Sequence, residues 1–227
     1  YPFEHYMNFG IWVMWGVGSL MLVPLTLITL TKVNELAEVL FGRGLRRLID
    51  VQPPRTFAGE APMVSIHIPA YREPADMVVE TLNSLAALDY PNYEVVVIVN
   101  NTPEAKYSAP VAARCRELGD RFKFLDITCT GFKAGALNVA LQHTAANASI
   151  IAVLDADYVV EKNWLADLVP QFDDPKVALV QAPQDHRDGH EAPLKQVMNA
   201  EYAGFFDIGM VQRNEDDAII THGTMCM

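Results

Sequence analysis

The sequence reads as an α/β protein with a mostly parallel sheet and helices on both faces, preceded by one transmembrane helix. Three observations carry this. Short β-branched runs alternate with stretches of helical periodicity after residue 60, the order that gives parallel strands joined by crossover helices. Ile150-Ile-Ala-Val-Leu154 runs unbroken and stops at Asp155 and Asp157, which predicts a strand buried on both faces that ends in carboxylates. Finally, His5 to Thr31 contains no Lys, Arg, Asp or Glu, and the almost wholly apolar stretch Phe9–Thr31 is about long enough to cross a bilayer.

The apolar stretch carries Tyr6, Trp12 and Trp15 toward one end, where aromatic residues favour a membrane interface. Pro24 predicts a kink of the kind membrane helices tolerate. A signal peptide is a weaker reading, because no basic segment precedes the stretch and no small-residue cleavage site follows. A buried helix of a soluble domain is the plain alternative. Lys32, Arg43, Arg46, Arg47 and Arg55 all follow the span and no Lys or Arg precedes it, so the N-terminus is expected outside and the folded domain in the cytoplasm, at the inner membrane. Val33–Phe41 and Leu45–Ile49 have apolar residues at helical spacing, as in a helix lying on a membrane surface or packed on the domain. The expected division is residues 1–31 as membrane helix, 32–60 as amphipathic helix and linker, and 61–227 as the folded α/β domain.

In that last region, Met63–Ile68 alternates and ends at Pro69, giving a first strand. Asp76 is placed to cap a helix from Met77 to Leu88. Glu94–Val99 is a second strand, ending at Asn100-Asn101. A helix is expected near Ala109–Leu118, a short edge strand over Phe122–Ile127, a glycine-bracketed loop over Gly131–Gly135, and a helix over Ala136–Ala145. The Ile150 strand follows.

Composition narrows the function. Lys plus Arg total 17 against 28 Asp plus Glu, a net charge of -11, which argues against nucleic acid as a partner. Cys115, Cys129 and Cys226 show no ligand-like spacing and are expected as free thiols in a reducing compartment. No feature of the sequence bears on oligomeric state.

In open α/β sheets ligands bind beyond the carboxyl ends of the strands. Asp155 and Asp157 arrive there and could share one hard divalent cation, directly or through water; a solvated acidic turn is the plain alternative. The neighbouring loops offer Tyr71, Arg72 and Glu73, then Asn100 and Asn101, whose amides suit a base edge or ribose hydroxyl. Lys133 sits between glycines at a helix start suited to phosphate, although a surface lysine is the alternative. Together they make a nucleotide-diphosphate site. Trp164 and Phe172 read as core. His67 reads as a satisfied strand residue. His186 and His190, among Asp185, Asp188 and Glu191, read as an active-site loop in preference to a second metal site.

Five segments in order, Ile68-Pro-Ala-Tyr-Arg-Glu73, the polar end of the second strand, Lys133-Ala-Gly-Ala-Leu-Asn138, Leu154-Asp-Ala-Asp157 and Val180-Gln-Ala-Pro-Gln184, resemble the inverting membrane glycosyltransferases of the cellulose synthase type (family 2). Gln184–Asp188 and Ile219–Met225 most resemble bacterial β-glucan synthases, including β-1,3-glucan enzymes. The resemblance implies a GT-A-like, nucleotide-diphospho-sugar transferase fold. It implies a processive glucosyltransferase that moves glucose from UDP-glucose to a growing β-glucan chain with inversion, partnered by UDP-glucose, the glucan acceptor and the bilayer. Asp155 and Asp157 would bind Mg²⁺ or Mn²⁺, with Asp157 the more direct ligand. Lys133 would contact phosphate, and Tyr71, Glu73 and Asn100 would surround uracil and ribose. Gln181, Pro183 and Gln184 would shape the donor-sugar side. His222, Gly223 and Thr224 would lie by the acceptor, and Phe205 and Phe206 would belong to a helix beside it.

Two departures accompany the resemblance. Relatives carry aspartates where this sequence reads Val99-Asn100-Asn101, which removes a negative charge from the nucleotide side. The family's general base follows the segment matching Thr224, so the expectation is the front part of a longer protein, lacking that base. Glu215-Asp216-Asp217 precedes that segment and is not assigned the role. The alternatives are a non-processive transferase acting on a lipid-linked acceptor, and a catalytically silent nucleotide-binding module.

Overall fold

The structure, a computed structural model, describes residues 8–41, 61–215 and 218–227. The chain divides into two compact units, Tyr1–Leu48 with Asp185–Ile219, and Ile49–Gln184 with Ile220–Met227.

The second unit holds the sheet. Its elements are β1 (Met63–Ala70), α2 (Ala75–Ala86), β2 (Tyr93–Asn100), α3 (Ala105–Leu118), β3 (Phe122–Ile127), α4 (Phe132–His143), β4 (Ala148–Val153) and α5 (Trp164–Leu168). All three strand pairings are parallel, and the order across the sheet is β3-β2-β1-β4. One face of the sheet, with Val64, Ile66, Ile68, Val95 and Val97, shares a core with Val78, Leu82, Leu85, Val111 and Trp164 of α2, α3 and α5. The other packs Val96 and Ile98 against Ala136 and Ala140 of α4. Small residues let α4 lie close to the sheet. This is the expected α/β, GT-A-like arrangement with helices on both faces, and β3 lies at the sheet edge as expected.

Four local expectations differ from what is observed. Asp76 does not cap α2: the helix begins at Ala75 after Pro74, and Asp76 sits in its first turn, where a carboxylate still complements the helix dipole. Helix α3 starts at Ala105 and contains Pro110; a proline this near a helix start removes one backbone bond without ending the helix. Helix α4 starts at Phe132, inside the expected loop, so Lys133 and Gly135 are helical. The Ile150 strand is not buried on both faces, for Ile151 is 38% exposed while Ala152 and Leu154 are buried. It is an edge strand, a position that a run of apolar residues does not reveal.

Pro69 lies inside central β1 without breaking the ladder. Val64 N donates to Asn92 O on the β2 side, and Leu154 N donates to His67 O on the β4 side. Odd-numbered positions therefore face β4, and Pro69 lies past that strand's end at Val153. Its missing N–H removes no ladder bond.

The first unit contains α1 (Phe9–Phe41), a helix of 33 residues with Pro24 inside. Residues Phe9–Asn34 have a mean hydropathy of 1.9 and are long and apolar enough to cross a membrane. The helix continues unbroken through Val33–Phe41, while Leu45–Ile49 and the arginines from Arg43 to Arg55 lie outside the described residues. The same unit carries α6 (Pro193–Ala203), which runs on through a π-helical stretch, Gly204–Met210, into α7 (Val211–Glu215). Asp216 and Asp217 lie outside the described residues.

Candidate active site

The strand order decides where the site lies. The chain builds outward from β1 through β2 to β3, then returns across β1 to lay down β4. The order reverses between β1 and β4, and a crevice opens at the carboxyl ends of such neighbouring strands. β1 delivers Tyr71, Arg72 and Glu73 to this crevice, and β4 delivers Asp155 and Asp157.

Electrostatics bear out the proximity. Burial pushes the Glu73 carboxyl up from its ordinary range, and the charges of Asp157 and Asp155 push it further the same way. Among the described residues no group of three or more His, Cys, Asp or Glu forms a metal-binding cluster. Asp155 and Asp157 therefore offer a cation two carboxylates at most. That donor set fits Mg²⁺ or Mn²⁺ of the kind held by one or two carboxylates, with substrate phosphate and water as the remaining ligands.

Lys133 is at the start of α4, two residues after Gly131, whose φ is 90°. The glycine at 135 is required by packing: a Cβ there would lie 1.8 Å from the Thr130 carbonyl oxygen. The tight turn points Lys133 across the crevice. Its Nζ donates to Asp155 Oδ1 at 2.5 Å and to the Gly223 carbonyl at 2.8 Å.

The C-terminal segment is bound into the same place. Val153 N donates to Cys226 O, and Val180 and Met227 exchange backbone bonds. This sets Cys226 between Val153 and Gln181 in antiparallel bridges. The Asp155 amide donates to Thr224 Oγ1 at 2.9 Å. Gln181 Nε2 donates to the carbonyls of Ala182, Thr224 and Met225, and its Oε1 accepts from the His222 amide. The Gln181 amide is thus engaged with the segment that contains His222, Gly223 and Thr224. Cys226 is buried here, and burial raises its thiol above the ordinary range.

Gln184 accepts from the Tyr158 hydroxyl at 2.7 Å, and its buried Nε2 has no hydrogen-bond partner. Asn100 is buried at the end of β2. Asn101, with φ 50°, exchanges side-chain bonds with the Cys129 backbone, which ties the β2 loop to the approach to α4. Arg72 pairs with Glu104 at 3.2 Å and lies over the Tyr71 ring. Tyr71, Glu73, Asn100, Lys133, Asp155, Asp157, Gln181, Gln184, His222, Gly223 and Thr224 thus all belong to the sheet-bearing unit, while Phe205 and Phe206 belong to the other. Asn101 as a loop tie and Thr224 as the acceptor for Asp155 N carry no sequence signal, because each depends on partners far away in the chain.

Of the other expectations, Trp164 is core and Phe172 packs on it. His67 is hydrogen bonded to Ser65 and Thr144 hydroxyls. His186 stacks on Tyr202 and its amide donates to Asn199. Cys115, Cys129 and Cys226 are free thiols.

Comparison with known proteins agrees with this geometry. The Glycosyl transferase family 2 profile matches residues 65–227. A beta-monoglucosyldiacylglycerol synthase of Nostoc sp. is 34% identical over 173 residues, 74% of this chain and 34% of that protein. Cellulose synthase 1 of Komagataeibacter xylinus is 27% identical over 219 residues, 92% of this chain and 13% of that protein. The chain spans about a third or less of these relatives' length. Among solved structures, a mannosyltransferase from Pyrobaculum calidifontis in complex with GDP-Man and Mn²⁺ matches with a TM-score of 0.51 and 28% identity, covering 70% of this chain and 47% of that one. Since the profile match takes in the crevice, the lysine-bearing helix start and the C-terminal segment as one continuous stretch, the chain belongs to glycosyl transferase family 2.

Proposed function

We propose that the protein is a membrane-bound, processive glucosyltransferase that transfers glucose from UDP-glucose to a growing β-glucan with inversion at the anomeric carbon. One observation carries the reading. In a family 2 chain, Lys133 bridges the Asp155 carboxylate and the Gly223 carbonyl, which supports assigning Asp155 to the donor and Gly223 to the acceptor across one site.

In this reading Tyr71, Glu73 and Asn100 hold uracil and ribose, and Lys133 meets the diphosphate. Asp155 and Asp157 hold Mg²⁺ or Mn²⁺; that cation, when bound, stabilises negative charge on the departing diphosphate. The relative solved with GDP-Man and Mn²⁺ supports a divalent ion beside a nucleotide sugar. Gln184, with its unpartnered buried Nε2, donates to a sugar hydroxyl. Gln181 shapes the sugar side indirectly, by fixing the segment His222–Thr224 that lines the acceptor. The acceptor hydroxyl attacks in line with the leaving UDP through a transition state of oxocarbenium character. A base removes the acceptor proton, and no residue of this chain is assigned to that step. Helix α1 spans the cytoplasmic membrane with the catalytic unit inside, which keeps synthesis at the bilayer.

A second reading is transfer of a single sugar to a lipid acceptor. It is favoured by the relative named as a beta-monoglucosyldiacylglycerol synthase. One experiment separates the two. Membranes containing the protein receive radiolabelled UDP-glucose with Mg²⁺, in parallel with N-acetylglucosamine and galactose donors, and products are digested with linkage-specific β-glucanases. The polymer reading expects a high-mass product from glucose alone, cut by one glucanase. A glycolipid bearing one sugar would replace it with the second reading. UDP binding with no product from any donor would point to a silent nucleotide-binding module.

A further inference from the structure

The two contacts of Lys133 carry an inference about how the site fills. The ammonium lies 2.5 Å from Asp155 Oδ1, so in the free protein it already neutralises a carboxylate that a divalent cation would use. It also holds the Gly223 carbonyl at 2.8 Å, in a turn where Gly223 has φ 70°. The ammonium and a divalent cation cannot share Asp155 comfortably. An ion on either carboxylate oxygen would sit within roughly 6 Å of Lys133 Nζ, given metal–oxygen distances near 2 Å, and like charges at that separation repel. The pair is part-exposed, 40% and 33%, so it can be displaced.

We propose that Lys133 is a charge-exchange residue: it stands in for the cation at Asp155 in the empty site, and moves to the diphosphate when cation and nucleotide arrive together. This rests on the donor site proposed above. Three consequences follow from the geometry. A cation alone binds weakly, because it must displace the ammonium with no phosphate to receive it. Cation and nucleotide bind with positive coupling, because each supplies what the other's arrival requires, and such coupling is reciprocal. Departure of Lys133 also releases Gly223 O, so filling the donor side loosens one of the ties on the segment His222–Thr224. The Gln181 bonds and the Thr224 bond to Asp155 N keep the segment attached. The movement is therefore confined to the His222–Gly223 turn.

The test uses the detergent-solubilised protein, with Mn²⁺ and UDP as probes. Calorimetric titration measures Mn²⁺ alone, UDP alone, and UDP in saturating Mn²⁺, for wild type and Lys133→Met. In the variant, Mn²⁺ alone is expected to bind about threefold to fivefold tighter, the factor that loss of a part-exposed ion pair supplies. UDP affinity is expected to fall, and the enhancement of UDP binding by Mn²⁺ to shrink. Unchanged or weaker Mn²⁺ binding in Lys133→Met, with wild type binding both probes, would overturn the exchange while leaving the donor site intact. Wild type that binds neither probe would remove the donor site and this inference together. An independent measurement needs no variant. Hydrogen exchange across the peptide containing His222–Cys226 is expected to quicken when Mn²⁺ and UDP are added together to wild type, and unchanged exchange would overturn the link to the acceptor segment.

Discussion

The buried Thr224 hydroxyl accepts the Asp155 amide proton. Thr224→Val keeps the shape and removes the acceptor, leaving a half-buried N–H without its partner at a cost of about 1 kcal/mol. UDP affinity in Mn²⁺ is expected to fall, measured by calorimetry, and Thr224→Ser to restore it. Gly135→Ala acts through space instead. Its Cβ would meet the Thr130 carbonyl at 1.8 Å, a backbone atom that cannot swing away, so the melting temperature is expected to drop by the equivalent of about 1–3 kcal/mol or more. Asp157→Ala tests the chemistry: Mn²⁺-dependent UDP binding is expected to vanish while the melting temperature stays near that of wild type. Asp155, Asp157 and Lys133 were legible because each sits in a short motif at a strand end or helix start. Thr224 as a support for Asp155 was not, since the two lie 69 residues apart.

Helix α4 is held at both ends by charge. Its first turn carries Lys133 into the crevice, and its last turn meets a polar cluster on the α4 side of the sheet. There Glu94 Oε1 accepts from the Ser65 hydroxyl and the Ala145 amide, both at 2.7 Å, and Oε2 pairs with Lys123 at 2.6 Å. His67 Nε2 shares hydrogen bonds with Ser65 and Thr144. Burial holds the His67 imidazole below its ordinary value of 6.5, although the Glu94 charge opposes this. For Glu94 burial acts upward, but the bonds from Lys123, Ala145 and Ser65 outweigh it and leave the carboxyl below 4.5. Both shifts predict loss of stability in acid. As pH falls below 6.5 the unfolded chain protonates at His67 before the folded one does. As it falls below 4.5 the unfolded chain likewise protonates first at Glu94. Thermal midpoints are therefore expected to decline between about pH 7 and pH 4. Glu94→Ala, which strands several donors, is expected to cost on the order of 3 kcal/mol at neutral pH. The existence of α4 was readable from its periodicity. Its first residue was not, because Gly131–Gly135 serves as both turn and helix start.

At the scale of the molecule, a folded α/β unit is joined in sequence to a helix that exposes most of its apolar side chains between Phe9 and Val33. Phe9–Asn34 is long and apolar enough to cross a bilayer, and membrane association is the property that the proposed function asks of it. The protein is expected to remain with membranes after alkaline carbonate washing. A variant that places arginine at Leu22, near the centre of the span, is expected to reduce membrane retention, since a charge there costs about 2.5–3.5 kcal/mol on insertion scales. Fractionation followed by immunoblotting checks both outcomes.

Periodicity, strand-end carboxylates and glycine placement are local properties, and they were enough to read the α/β architecture, the edge position of β3, the apolar span and most of the candidate site from the residues alone. Pairing is not local. Which strand neighbours which depends on how chain segments far apart in sequence share a core. The return of the chain to place β4 beside β1 therefore became visible only in three dimensions, and it is this return that sets Asp155 and Asp157 opposite Glu73. The same holds for Gln181, whose four hydrogen bonds reach the backbone at residues 182, 222, 224 and 225. Its residue type marks it as polar, while its partners, and so its work, come from the folded chain.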